Sequence, residues 1–348
     1  MIRTPTTIIV GAGASSELGF PLGGSLLSEI ASMVDFRTNG SYRYSSADNG
    51  QLYEELQRIA AADPQRWQPY NLAARRIVGA APMAASIDNL IHQNNDSKHV
   101  EIVAKIAIAE AILRYERESP LYNRDDPFTV PDNALDNSWL LPFGRILTTD
   151  LQKTDVGRIF DALTIITFNY DRTIERALPH ILTQSYGMSL SEAQDIVRKK
   201  LRIFHPYGQV GYLDWFKEDG DVEVGYGRDG FGRFNEIIGD LKTFTEQMNE
   251  EAEQVTKIRE AVQQAQKIVF IGFGYHDQNM TLLRHPKFNA QAHAMLGTIY
   301  KEPEPIVMAI RGALSNTFWH ATGVTASPYL EDKPCKDFLN QWRRQIMG

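Results

Sequence analysis

Six short apolar runs punctuate the chain: Thr6–Val10 (TTIIV), Leu163–Phe168 (LTIITF), Leu201–His205 (LRIFH), Lys267–Phe273 (KIVFIGF), Pro305–Ile310 (PIVMAI) and Gly323–Tyr329 (GVTASPY). Continuous rather than alternating runs of this length are the mark of strands buried on both faces of a parallel sheet. Between several of them the apolar positions change to a helical rhythm. Phe234 to Gln266 carries Ile237, Leu241, Phe244, Met248, Val255, Ile258 and Val262 in that rhythm, which predicts helix. Ser189 and Glu192 stand at capping-box spacing, so another helix is expected to start there. Strand–helix alternation of this kind predicts an α/β fold, a Rossmann-like doubly wound parallel sheet of about six strands.

Roughly 150 residues separate the first run from the second, far more than one crossover helix needs. Within them, His99–Ser119 places Ile102, Ile106, Ala109 and Leu113 on one helical face, and Leu52–Ala61 and Leu72–Val78 also have helical patterns. The expected organisation is therefore a helical insertion domain over 22–137, carried by an α/β domain made of 1–21 and 138–348. The exit from the insertion, Ser119–Ser138, holds three prolines and repeated Asp and Asn, so it reads as loop. Arg37–Gly50 is a second loop candidate.

Composition narrows the function classes. The 348 residues are 43% hydrophobic and 23% charged, and the net charge is −7. That balance works against direct, sequence-independent binding to nucleic acid, which needs clustered cations on phosphates. No run of about 18 apolar residues exists, so no membrane span is expected. The first strand follows the N-terminus without a secretory pattern, and Cys335 is the only cysteine. A single thiol excludes intramolecular disulfides and a zinc site built on several thiolates, and a cytoplasmic location is expected.

The first strand runs into the glycine turn Gly11-Ala12-Gly13-Ala14-Ser15. A dehydrogenase fingerprint requires a third glycine, where this chain has Ser16, and a second strand where Ser25–Phe36 reads as helix. A phosphate loop requires a glycine-lysine-Ser/Thr element, which the chain lacks. Taken alone, the turn could equally be a tight strand–helix connection with no ligand. Other strand ends add to it. The second ends on Thr167, Asn169 and Asp171, the third on His205 before Pro206 and Gly208, and the fourth on Gly272, Gly274 and Asp277. Ligands of open parallel sheets sit outside the carboxyl ends of the strands.

The order of these elements resembles the sirtuin superfamily. The carriers are Gly11-Ala12-Gly13-Ala14-Ser15 with Gly19 and Pro21, then Thr167-Phe168-Asn169-Tyr170-Asp171, then His205-Pro206-Tyr207-Gly208, then Gly272-Phe273-Gly274. The chain is similar in particular to the sirtuin-like NAD hydrolases of bacterial anti-phage defence, and Ala85–Ile91 resembles a segment of their helical region. Two departures separate it from protein-deacylating sirtuins. Pro206–Lys267 contains no cysteine where those enzymes carry a four-cysteine zinc module, and holds instead the acidic, glycine-rich Lys217–Phe234. Leu22-Gly23-Gly24 replaces the Asp-Phe-Arg that follows their glycine motif.

The resemblance implies that NAD is bound as substrate, with no metal, and is cleaved to nicotinamide and ADP-ribose. Asn169 and His205 are the implied catalytic pair. Asn169 can donate and accept at once toward a ribose hydroxyl or water, and His205 can accept a proton near neutral pH. The pyrophosphate is expected on the N–H groups of Ala12 to Ser15, with Gly11 and Gly13 permitting the approach. Asp171 is expected to accept from the nicotinamide amide, Thr167 to be among the cofactor-binding residues, and Gly272 and Gly274 to let the adenosine ribose approach. Depletion of NAD would need a gate, so a homo-oligomer, or a separately encoded activator such as a HerA-type ATPase, is the expected partner. The competing readings are an NAD-dependent protein deacylase using the same pair, and a sensor that binds NAD or ADP-ribose without turnover.

Overall fold

The computed structural model describes residues 1–36, 47–63, 66–249, 253–284, 294–318 and 327–348. The chain divides into two compact units. One comprises Met1–Gly19, Ser119–Pro206 and Gln247–Gly348, the other Phe20–Glu118 and Tyr207–Glu246.

The first unit is built on a six-stranded sheet of β1 (Thr6–Val10), β2 (Leu163–Thr167), β3 (Ile203–Phe204), β4 (Lys267–Ile271), β5 (Ala294–Thr298) and β6 (Tyr329–Glu331). All pairings are parallel, in the order β3-β2-β1-β4-β5-β6. This is the doubly wound, Rossmann-like arrangement, whose strand order reverses between β1 and β4. β1 and β2 are buried along their whole length, which is why they show no polar alternation. The threonines of β1 remain affordable inside because Thr6 donates to Thr4 O (2.8 Å) and Thr7 to Ala261 O (2.9 Å). The strands align without offset, Thr6 pairing with Leu163 on one side and Lys267 on the other. Their carboxyl ends therefore finish level.

Four of the six apolar runs form β1 to β4, one is helical, and one lies mostly outside the described residues. Pro305–Ile310 lies in the helix Glu304–Phe318, not in a strand. Val307, Ile310, Leu314 and Phe318 are its buried residues, a helical spacing, while Ile306 and Met308 face out. The proline sits in the first turn, where a missing N–H costs nothing. The strand at that place in the sheet is β5, Ala-Met-Leu-Gly-Thr, a sequence poor in β-formers. Gly297 is needed there, since a Cβ would lie 2.5 Å from the Tyr275 hydroxyl. The run Gly323–Tyr329 lies outside the described residues up to 326, and β6 begins at its last residue. The loop expected over Arg37–Gly50 also falls outside them up to 46.

The predicted long helix from Phe234 to Gln266 is interrupted, with helices at Phe234–Asp240, Phe244–Asn249 and Glu253–Gln264. Thr243 and Glu246 form a reciprocal cap that starts the middle piece: Glu246 N donates to Thr243 Oγ1 (3.2 Å) and Thr243 N to Glu246 Oε2 (2.5 Å). The Ser189–Glu192 box is formed as expected at the start of Leu190–Lys200.

In the second unit the helix Lys98–Glu118 is the central element. From Val103 to Leu113 every residue is buried, so the helix is enclosed on all sides rather than on one face. Its buried Lys105 is held by Glu101 (2.6 Å) and Glu246 (3.0 Å), and Glu116 accepts from Gly227 N (3.0 Å). Around it lie Gly23–Met33, Ala47–Ala61, Trp67–Ala80 and Ile87–Gln93, the last capped by Ser86. Among the described residues no helix is long and apolar enough to cross a membrane.

Candidate active site

The sheet order brings the ends of β3, β2, β1 and β4 side by side, and the polar residues singled out above follow those four strands. At the centre, the turn after β1 and the loop after β4 touch backbone to backbone. Gly13 N donates to Gly272 O (2.9 Å) and Gly11 N to Ile271 O (3.0 Å). A Cβ on Gly272 would stand 2.0 Å from Ala14 N, and one on Gly11 would stand 2.6 Å from Gly272 O. Gly272 also has φ +58, and its N–H donates to Thr298 Oγ1 (2.8 Å) on β5. The glycines are thus required first by each other. Gly13 N and Ala14 N are satisfied inside the protein, by Gly272 O and Gly11 O, so two of the four amides from Ala12 to Ser15 are already engaged. Gly274 is less constrained, because a Cβ there meets only the side chain of His276.

Beside this contact is a buried polar network. Asn169, 8% exposed, donates through Nδ2 to Gly11 O (3.1 Å) and Ser15 Oγ (2.8 Å). Ser15 Oγ donates in turn to Asp171 Oδ2 (2.7 Å). The other Asp171 oxygen accepts from Thr173 N (3.1 Å) and Thr173 Oγ1 (2.6 Å), at the first residue of the helix Thr173–Tyr186. Thr167 Oγ1 accepts from Asn169 N (3.3 Å). Thr167, Asn169, Asp171 and Ser15 therefore form one connected group with the glycine turn. One carboxylate oxygen of Asp171 serves that group and the other bonds Thr173.

His205 follows β3 and is also buried. Its Nδ1 lies 3.2 Å from Asn169 O and its Nε2 lies 2.8 Å from Glu175 Oε1, while its own carbonyl accepts from Gln254 Nε2 (3.1 Å). Both ring nitrogens face acceptors, an arrangement that a doubly protonated imidazolium satisfies fully. Burial disfavours that charge. The Glu175 carboxylate, the Asn169 carbonyl and the nearby Asp171 outweigh burial and hold the pKa above the ordinary histidine value.

Asn169 and His205 are thus adjacent, as are Gly11, Gly13 and Gly272. Glu175 is the residue that sequence reasoning passed over. It stands in the first turn of a helix, where an acid is common for dipole reasons alone. Its distinguishing feature is burial, to 1% exposure, which a single sequence does not display. Among the described residues no group of three or more His, Cys, Asp or Glu is placed to hold a metal ion.

An open parallel sheet with its polar residues gathered at the carboxyl edge defines a Rossmann-like α/β protein. Residues 163–323 match the family model described as a SIR2-like domain. In that stretch the chain is similar to the SIR2-like family. The matched stretch includes Asn169, Glu175, His205 and Gly272, while the glycine turn after β1 precedes it. No curated protein matches the chain. Solved structures with a similar outline include a Sir2 homologue mutant bound to 2'-O-acetyl ADP ribose, at 12% identity and TM-score 0.41 over 98% of this chain and 91% of that one. A Sir2 homologue mutant with ADP ribose gives 11% identity and TM-score 0.41, again over 98% and 91%. A Sir2 homolog–NAD complex gives 12% identity and TM-score 0.40, over 98% and 88%.

Proposed function

We propose that the protein is an NAD hydrolase that cleaves the bond between nicotinamide and ribose. The observation that carries this reading is the adjacency of Asn169 and His205 beside the glycine turn, within a SIR2-like domain. In the reaction the glycosidic C–N bond breaks with its electron pair leaving on the nicotinamide ring nitrogen. Nicotinamide departs neutral, so no acid is needed to protonate it. The ribose carbon develops oxocarbenium-like charge and is captured by water, whose proton passes to His205. Asn169 orients the water or a ribose hydroxyl, held by its bonds to Gly11 O and Ser15 Oγ. Asp171 acts through Ser15 and Thr173, keeping the network in place.

Incubation of the purified protein with NAD, with separation of nicotinamide and ADP-ribose, tests the reading. Release is expected without any acylated peptide, and Asn169→Ala and His205→Ala are each expected to lower it by about 100-fold or more. Release unchanged in both variants refutes the site. Release only with an acyl-lysine peptide, with acetylated ADP-ribose as product, identifies a deacylase instead. NAD binding without product, under conditions that activate the oligomer, identifies a sensor.

The biological role that fits this chemistry is cytoplasmic anti-phage defence by NAD depletion, in a homo-oligomer gated by a separately encoded activator such as a HerA-type ATPase. Co-expression with that partner followed by intracellular NAD measurement during infection checks this directly.

A further inference from the structure

We propose that Glu175 is the positioning residue of His205, fixing the ring through Nε2 and leaving Nδ1 to exchange its contact with the Asn169 carbonyl for a substrate hydroxyl or water. The inference rests on the NAD-hydrolase reading for its chemistry, while the pairing itself stands on geometry. The two ring contacts are unequal. The Nε2 contact to a carboxylate is the shorter, at 2.8 Å, and charge-assisted; the Nδ1 contact to a neutral carbonyl is 3.2 Å. The weaker one is the one that yields.

Glu175 is costly where it stands. It is 1% exposed, and its Oε2 has no hydrogen-bond partner among the described residues. A carboxylate buried for a single hydrogen bond is tolerated when that bond reaches a cation, and His205 is that cation. The helix Thr173–Tyr186 gives it a base, tied at its first residue by the hydrogen bond from Thr173 N to Asp171. Among the described residues the carboxylates that act on the ring are Glu175 and the nearby Asp171, and Gln254 donates to the His205 backbone. Release of the Nδ1 proton to solvent leaves a neutral ring that still donates Nε2–H to Glu175. The bare Nδ1 can then take the proton of the attacking water as its oxygen bonds to the ribose carbon.

Nitrogen-15 NMR of the histidine side chains in the full chain tests this, with His205 identified by its loss in His205→Gln. In the wild type the neutral ring is expected to carry its proton on Nε2. Glu175→Gln keeps an acceptor but removes the charge, so the His205 titration midpoint is expected to fall by about one pH unit or more. The acid limb of nicotinamide release should move with it. A midpoint unmoved in Glu175→Gln overturns the proposal, and so does a wild-type neutral ring protonated on Nδ1. The second outcome needs no variant to fold. If the ring behaves as expected but NAD is never cleaved, the pairing stands and the hydrolase reading fails.

Discussion

A histidine whose two nitrogens both meet acceptors has a thermodynamic signature. Because the folded state raises the pKa of His205, the Glu175 pair contributes its full stability below the unfolded histidine value. The contribution is lost as pH rises through the folded value. Glu175→Gln is therefore expected to cost stability at about pH 5 and far less at about pH 9, measured by urea unfolding at each pH. An equal loss at both refutes an ion pair. The glycines give a second residue-scale test. Gly272→Ala combines φ +58 with a Cβ 2.0 Å from Ala14 N, so a loss of about 3 kcal/mol or more is expected in the same assay. Gly274→Ala, which meets only the flexible end of His276, is expected to be nearly neutral. The sequence displayed these glycines but suggested a ligand as their reason. Their nearer reason is the opposite loop, and a chain read linearly does not show which loops touch.

At the scale of elements, local rules were legible where they acted alone. The Ser189–Glu192 box formed as its spacing required, and Ser189→Ala is expected to cost about 1 kcal/mol, read from the shift in denaturation midpoint. β1, β2 and β4 were equally plain, because burial on both faces leaves no alternation of polar positions to confuse the pattern. The failures share a cause. Pro305–Ile310 is apolar and partly β-branched, yet its register with Leu314 and Phe318 is helical, and only a wider window reveals that. β5 owes its place to β4 and β6 and to the space Gly297 leaves for Tyr275, none of which is written in its own five residues. The interruption near Leu241–Thr243 was readable in principle, since Thr243 and Glu246 have the spacing of a cap.

At the scale of the molecule, the site is assembled from strand ends far apart in the chain, brought level by an in-register parallel sheet. The candidate residues were legible because they mark four strand ends in a recognisable order. Glu175 was not, because its partner lies 30 residues away across β3. If the proposed substrate binds here, NAD or ADP-ribose at 100 times its Kd should stabilise the whole fold by about 2.7 kcal/mol. Thermal unfolding with and without ligand measures this, and the gain should vanish in Asn169→Ala. The contact between Gly13 and Gly272 also bears on how such a protein can change over generations. When two large side chains collide, a mutation in one can be rescued by trimming the other. Here both partners are already the smallest residue available, so a substitution on either side has no second-site suppressor among the residues it strikes. At that crossing this chain has no stepwise exchange open to it.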